Sequence, residues 1–422
     1  MRFKGARLIL LIWAISFLVA LGTRHDLFYK LTYFLSALIV LSLLWTWLSV
    51  RGTRLERQTR AKRSQVGRSV EERFTVYNTA LLPKLWLEVR DHSDLPAHRA
   101  SCVVSALGWR GRRSWTVRTT CWRRGRFTLG PITLTSGDPF GLFTMWRQLP
   151  LTSTLVVYPA IVDLPTFTTP VGQLLGGSVM HRRTHYVTPN VSGVRDYVPG
   201  DGFNRIHWPS TAHAGRLIVK EFELEPTAAI WFFLDMDGGV QAGWPWVSFP
   251  EREGPALLWT RRLRLDLEPT TEEYGVTVAA SLAKHFIDRQ RDVGLAAYGG
   301  HRVVIQPDRG ERQLIKILET LAFIRAKGRI PLAEVVAAEG LHCSRNTTVV
   351  VITPSTEGDW VSALRYLERR GVQVIVVLLI ASTFGLAASS REVQAELAAS
   401  AITTYLVREG EPLETAFSQG GG

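Results

Sequence analysis

The chain has only three cysteines, Cys102, Cys121 and Cys343, widely spaced and in no CxxC or Cys/His array. So odd and scattered a set supplies neither a disulfide framework nor a zinc-finger pattern, and it suits a reducing compartment with buried thiols. A Cys102–Cys121 bridge across neighbouring strands is the alternative. No GxxxxGK segment occurs and no GxGxxG follows a strand, so the backbone cradle that nucleotide phosphates need is missing. Neither GxSxG nor HExxH is present, which removes the local geometry of serine hydrolases and zinc proteases. Acidic residues are the scarcer charge, 37 against 50 Lys and Arg, leaving a formal +13. A surplus of that size suits nucleic acid or an anionic membrane face, and its placement decides which.

The placement favours a membrane. After Arg2, Lys4 and Arg7 comes the uncharged run LILLIWAISFLVALG, residues 8–22, then a polar TRHD and a second apolar run over 27–50 interrupted only by Lys30. The second run can cross a bilayer of about 30 Å at about 1.5 Å per residue, and the first needs Arg7 to snorkel. Ala20 and Gly22 would also make a cleavage site, so a signal peptide is the rival for the first run. Next, RGTRLERQTRAKRSQVGR (51–68) holds seven cations against Glu56 alone and reads as a basic juxtamembrane collar. Basic flanks at the outer ends of both runs predict a hairpin over 1–50 with both termini in the cytoplasm. The expected location is the cell inner membrane, with the soluble bulk cytoplasmic. No nucleic acid is needed to explain the charge.

From 69 to 165, short alternating runs such as RFTVYN, KLWLEVRD and TLVVYP, separated by Pro, Gly and Asn turns, predict an all-β sandwich. Within it, GDPFGLF (137–143) reads as a tight turn sending two Phe side chains into the core. Residues 166–192 read as a linker. From 228 to 410 the continuous apolar strands AAIWFFLD, TTVVVITP and VQVIVVLLI alternate with helical stretches, which predicts a doubly wound α/β domain with a mostly parallel sheet. Residues 411–422 are expected to be a disordered tail.

Chemistry is sparse. In an open parallel sheet ligands sit beyond the carboxyl ends of strands, and the loop after the first buried strand reads LDMDGG. Asp235 and Asp237 there have oxygens suited to Mg2+ or Ca2+. A turn built on Gly238 and Gly239 also uses Asp without any metal. Trp244, Trp246 and Trp259, in the irregular insertion 238–269, are candidate partner anchors or a small subsidiary core. The stretch GVRDYVPGDGFNRIHWPSTAHAGRLIVKEFELEP (193–226) gathers Arg195, Asp196, Tyr197, Gly200, Asp201, Arg205, His207, Trp208, Ser210 and Glu221. Its charged pairs read as a polar network at a domain junction, over 193–227, or as a docking surface. His207 with Asp201 lacks a nucleophile at catalytic spacing.

RDYVPGDGFNRIHWPSTAHAGRLIVKEFELE resembles the defining motif of the bacterial domain of unknown function 58 family. RRGRFTLGPITLTSGDPFGLF (123–143) and LVVYP (155–159) are similar to that family's upstream β region, and the two N-terminal runs fit its layout. The resemblance implies a von Willebrand factor A-like α/β domain. Such domains often hold a divalent ion through Asp-x-Ser-x-Ser, a Thr and a further Asp. Here Asp235 matches the first Asp, but Asp237 and Gly239 replace the two Ser, and TPSTEGDW (353–360) offers Asp359 only further along. Members accompany MoxR-type AAA+ ATPases. The implied function is a membrane-anchored, cytoplasm-facing adaptor or assembly factor that binds such an ATPase or an envelope protein through its A-like domain. The alternative is a metal-dependent hydrolase using Asp235, Asp237, Asp201 and His207.

Overall fold

The computed structural model describes residues 6–23, 25–165, 167, 191–199, 201–203, 206–222, 229–246, 266–345, 347–386 and 388–418. It divides into two compact units. The first comprises Met1–Ala160 with Pro245–Glu268 and Leu318–Ile324; the second comprises the rest.

The first unit opens with helices α1 (Ala6–Thr23) and α2 (Asp26–Arg51), both long and apolar enough to cross a membrane. Some of their polar groups face each other: Trp13 Nε1 donates to Ser36 Oγ at 2.7 Å, and the Ser16 and Thr32 hydroxyls meet at 3.1 Å. Pairing removes the cost of carrying those groups into an apolar medium. Ten strands follow: β1 (Thr53–Thr59), β2 (Arg63–Gln65), β3 (Ser69–Asn78), β4 (Lys84–Asp91), β5 (Cys102–Leu107), β6 (Arg112–Thr120), β7 (Gly125–Leu129), β8 (Ile132–Gly137), β9 (Thr144–Leu149) and β10 (Ser153–Tyr158). They form sheets β1-β3-β6, β2-β10-β7 and β5-β4-β8-β9. Every pairing is antiparallel except β2 with β10. Strand β3 shows why: Val70, Glu72, Phe74 and Val76 are buried at every second position, the period of a strand with one face on a core.

Two expectations change here. Residues 51–68 are not a separate collar, because 53–59 are strand β1, paired with β3 from Thr53↔Asn78 to Thr59↔Glu72, and 63–65 are β2. Arginines spaced every third residue resemble a loose basic tail, but Leu55 and Arg57 alternate in phase with a buried face, and both are buried. Of the two Phe side chains in GDPFGLF, Phe143 is buried and Phe140 is exposed. Phe143 packs with Leu142 and Ala6 beside Ile9, Leu38 and Leu43 of the helices, away from the core of the sandwich.

The second unit starts with β11 (Val191–Asp196), α3 (Trp208–Ala214) and β12 (Ile218–Phe222), the two strands forming an antiparallel hairpin. Then come β13 (Ile230–Leu234), α4 (Thr271–Asp288), β14 (Val293–Tyr298), β15 (Arg302–Asp308), α5 (Glu311–Phe323, whose residues from Leu318 on count with the first unit), α6 (Leu332–Gly340), β16 (Thr348–Thr353), α7 (Asp359–Arg369), β17 (Gln373–Leu379), α8 (Arg391–Ala399), β18 (Thr403–Val407) and α9 (Leu413–Ser418). Strands β13 to β18 make one sheet, order β15-β14-β13-β16-β17-β18, parallel except for the edge strand β15. Every residue of β13, β14 and β16 is buried, as a sheet covered on both faces requires. On one face Trp231, Phe233, Val349 and Val351 pack with Trp360, Val361 and Leu364 of α7. On the other, Phe232 meets Phe286 of α4.

The tail expectation also changes, because residues 413–418 are helix α9 with Leu413, Ala416 and Phe417 buried. Their spacing of three and four puts an apolar stripe on β18, too short to stand out from a polar Gly-rich end. Phe167, near the start of the expected linker, is buried among aromatic side chains, its ring 5.3 Å from those of both Tyr405 and Phe417. The rest of 166–190 lies outside the described residues.

Candidate functional site

Sheet order alone singles out one place. The chain passes from β13 to β14 on one side and to β16 on the other, so the carboxyl ends of β13 and β16 flank a topological switch point, where open α/β sheets bind ligands. Asp235 follows β13 directly and Thr353 ends β16. Thr353 Oγ1 donates to Asp235 Oδ2 at 2.6 Å, and the Asp237 N–H donates to Oδ1 at 3.1 Å. Thr353 Oγ1 in turn accepts from the Ser355 N–H at 2.9 Å. Gln241 Nε2 donates to the Asp235 carbonyl at 3.1 Å, and Thr271 Oγ1, in the first turn of α4, donates to Gln241 Oε1 at 2.7 Å. Thr270 caps that helix by accepting from the Glu273 N–H.

Asp235 is 5% exposed. Burial pushes its carboxyl up to about 6, against the pull of the Thr353 hydroxyl and the Asp237 N–H, and Asp237 adds a smaller push upward. It is an acid held by neutral donors, with no ion pair to it among the described residues, the kind of perturbed group that marks candidate sites. Thr353, Gln241, Thr271 and Ser355 were not singled out from sequence. The available signal was a Thr ending a continuous apolar strand, and only the sheet order makes β16 the neighbour of β13.

The metal expectation meets a short donor set. Each Asp235 oxygen already accepts a hydrogen bond, Asp237 Oδ1 accepts from the Gly239 N–H at 2.9 Å, and among the described residues no group of three His, Cys, Asp or Glu side chains could hold an ion. Ca2+ takes six to eight oxygens, often from several carboxylates, whereas Mg2+ keeps several waters and needs only one or two carboxylates. Asp235 and Asp237 fall short of a Ca2+ cage by themselves, and an ion between them would compete with the hydrogen bonds they already accept.

Residues 193–222 make a small, locally braced hairpin. Arg195 grips Asp201 with two hydrogen bonds, Nη1 to Oδ2 at 2.8 Å and Nη2 to Oδ1 at 2.7 Å, and Asp201 also accepts from the Val198 N–H. This fork closes the turn after β11. Asp196 pairs at the surface with Arg216. The Tyr197 N–H donates to the Leu217 carbonyl, and its ring lies 6.3 Å from Phe203. His207 Nδ1 lies 2.7 Å from Ser210 Oγ, Thr211 Oγ1 accepts from the Ile218 N–H, and Gly215 ends α3 at φ +66°. Glu221 sits opposite Gly193 in the β11–β12 register. Gly200 and Arg205 lie outside the described residues.

Several polar groups thus bond within the hairpin and Ile206, Ile218 and Val219 are buried, while other large apolar side chains are left outside. Phe203 is 73% exposed and Trp208 63%, with Val194, Val198 and Leu217 also exposed, and α3 has no buried residue. Among the described residues no hydrogen bond joins Asp201 or His207 to each other, to Asp235 or to Asp237. Of the tryptophans, Trp244 is exposed, its Nε1 only 2.6 Å from where a Cβ on Gly385 would sit. Trp246 packs edge-to-face on Trp122, and its N–H donates to Glu268 Oε1 at 3.0 Å, so it is built into the first unit and is no free anchor. Trp259 lies outside the described residues.

The family model described as protein of unknown function DUF58 matches residues 193–244. An uncharacterized protein YeaD of Bacillus subtilis (strain 168) is 24% identical over 262 residues, 60% of this chain and 56% of that protein. The match therefore spans little more than half the length of that relative. Over residues 193–244 the chain is thus similar to the DUF58 family. Among solved structures, the CARDB domain of the PF1109 protein from Pyrococcus furiosus, in complex with di-metal ions, is 16% identical, with a TM-score of 0.19 over 25% of this chain and 91% of that one. The alkylpurine DNA glycosylase AlkC of Pseudomonas fluorescens is 15% identical, with a TM-score of 0.18 over 25% of this chain and 30% of that one. Likenesses of that size leave the fold to be read from this chain itself.

Proposed function

We propose that the chain is a membrane-anchored adaptor of the DUF58 kind, its helices crossing the inner membrane as a hairpin and its soluble units facing the cytoplasm. Its α/β unit is of von Willebrand factor A type, and its partner is a MoxR-type AAA+ ATPase or another membrane or envelope protein. The observation that carries the docking role is the 193–222 hairpin, where hydrogen bonds hold the backbone while Phe203 and Trp208 stand in solvent. A rigid frame presenting aromatic side chains is how interfaces concentrate binding energy, and most of it resides in a few such anchors. The hydrolase alternative needs Asp201 and His207 beside Asp235 and Asp237, whereas Asp201 bonds to Arg195 and His207 to Ser210 within the hairpin.

Pull-down of the full chain from detergent extract, with ATP or ADP present, tests this. Phe203→Ser with Trp208→Ser should reduce recovery of the ATPase at least tenfold without lowering the melting temperature. Equal recovery from the double variant, or no ATPase or envelope protein from the unsubstituted chain, would overturn the proposal.

A further inference from the structure

One end of the sandwich is fastened to the end of α2. The Thr79 N–H donates to the Gly52 carbonyl at 3.0 Å, and Lys84 Nζ donates to the Leu48 carbonyl at 2.8 Å. Asn78 then ties two turns together, its Nδ2 donating to the carbonyls of Leu82, Leu107 and Gly108. Strand registers put Asn78 opposite Thr53, Arg112 opposite Tyr77, Leu107 opposite Lys84 and Thr144 opposite Gly137, so the turns 79–83, 108–111 and 138–143 share this end. The third reaches furthest along the helices, with Leu142 and Phe143 against Leu38, Ile39 and Leu43.

The side chains at this end are unlike those of an ordinary solvated rim. Leu81 is 80% exposed, Trp109 57% and Phe140 62%. Arg110 lies over the Trp109 ring, its guanidinium 4.9 Å from the ring centre, with Arg112 and Arg113 exposed next to it. On α2 itself the exposed apolar face runs through Val40, Leu41 and Leu44 to Trp47, over which Arg51 sits at 4.4 Å. Trp and Leu beside Arg, level with the end of a span, is the composition of a bilayer interface, where rings sit among headgroups and guanidinium groups pair with phosphate.

We propose that this end of the sandwich is a second membrane contact, in which Leu81, Trp109 and Phe140 enter the interfacial layer and Arg110, Arg112 and Arg113 hold anionic phospholipid headgroups. The proposal rests on the reading that the helices cross the membrane. It reassigns the role expected of the collar. Strand β1 carries Arg60 away from the turns by about 23 Å, taking 3.3 Å for each of its residues, more than twice a Debye length of about 8 Å at physiological salt. The arginines at the far end are therefore out of reach of headgroups, and those at the near end are not. Continuity with α2 commits the surface to lipid, because a protein covering the same turns would have to displace the bilayer that the helix brings there.

The full chain, reconstituted in vesicles of phosphatidylcholine and phosphatidylglycerol, provides the test. A polarity-sensitive fluorophore is placed in turn on Leu81→Cys, Trp109→Cys, Arg60→Cys and Leu41→Cys, and quenching by brominated phospholipids is read against the background from the native thiols. Labels at 81 and 109 should be quenched at least threefold more than the label at 60, and omitting phosphatidylglycerol should weaken quenching at 109. Quenching at 81 and 109 no greater than at 60, with Leu41→Cys quenched, overturns the second contact and leaves the spans standing. Failure of Leu41→Cys to be quenched overturns both.

Discussion

Two sites, one in each unit, accommodate buried acids in opposite ways. In the sandwich, Glu72 and Asp91 lie with Arg57 and His98, all four side chains no more than 4% exposed. Arg57 bonds both carboxylates, at 2.8 Å to Glu72 Oε2 and 3.2 Å to Asp91 Oδ1, and His98 Nε2 lies within 3.3 Å of each. Burial works to raise the Asp91 carboxyl, but the hydrogen bonds from His98 and Ser93 and the charge of Arg57 outweigh it and hold the group below its ordinary range. In the α/β unit, Asp235 is buried as deeply with only hydroxyl and amide donors, and its carboxyl rises instead. The first arrangement ties strands β1, β3 and β4 together through charge. The second leaves an acid poised at the crevice between β13 and β16, where neutralising it requires a proton or a ligand.

The largest expected effect lies in the compensated cluster. Arg57→Met strands two carboxylates in the sandwich interior, and the first unit should lose about 3–5 kcal/mol in denaturant unfolding of the full chain in detergent. A loss below about 1 kcal/mol would mean that the cluster is more open to water than its exposure indicates.

Asp235→Asn is next and acts in the opposite sense. A carboxyl at about 6 when folded, against an ordinary 3.8, binds its proton more tightly in the native state, so its contribution is fully present below about pH 4 and lost as pH rises through 6. The second unit should therefore weaken by at most about 3 kcal/mol across that window, and the Asn variant should not. Asp91 slopes the other way, stabilising above its ordinary titration range and less so as pH falls. Parallel pH profiles for the unsubstituted chain and Asp235→Asn would erase the contrast. Smallest is Thr353→Val, which removes the 2.6 Å donor to Asp235. It should cost about 1–2 kcal/mol at neutral pH and move the Asp235 titration, followed by carboxyl NMR, further upward.

Much of this architecture was legible in the chain. Alternation along Arg73–Asn78 announced a sheet with one wet face, and the unbroken apolar runs over Ile230–Leu234 and Thr348–Thr353 announced a sheet covered twice. Arg195 and Asp201, which pair in the structure, were both among the charged residues of 193–226 expected to form such pairs. Arg57 was not recognisable as a core residue, since an arginine among arginines carries no sign of its partners. Helix α9 was missed because one turn and a half offers too few positions to display a period.

Sequence alone determined the element types, the apolar helix pair and the identity of the braced turn, because each follows from neighbours within a few residues, through side-chain period, backbone restriction or local charge. Tertiary structure decided which of two adjacent readings each charged group took. Arg57 and Arg60 are three residues apart in one basic run, yet the first is buried against two carboxylates and the second stands in solvent beside Glu71. Likewise Asp235 meets Thr353 from 118 positions away. Coulomb and hydrogen-bond energies depend on distance and local dielectric, and both are set by the packing of strands that the linear order does not place side by side.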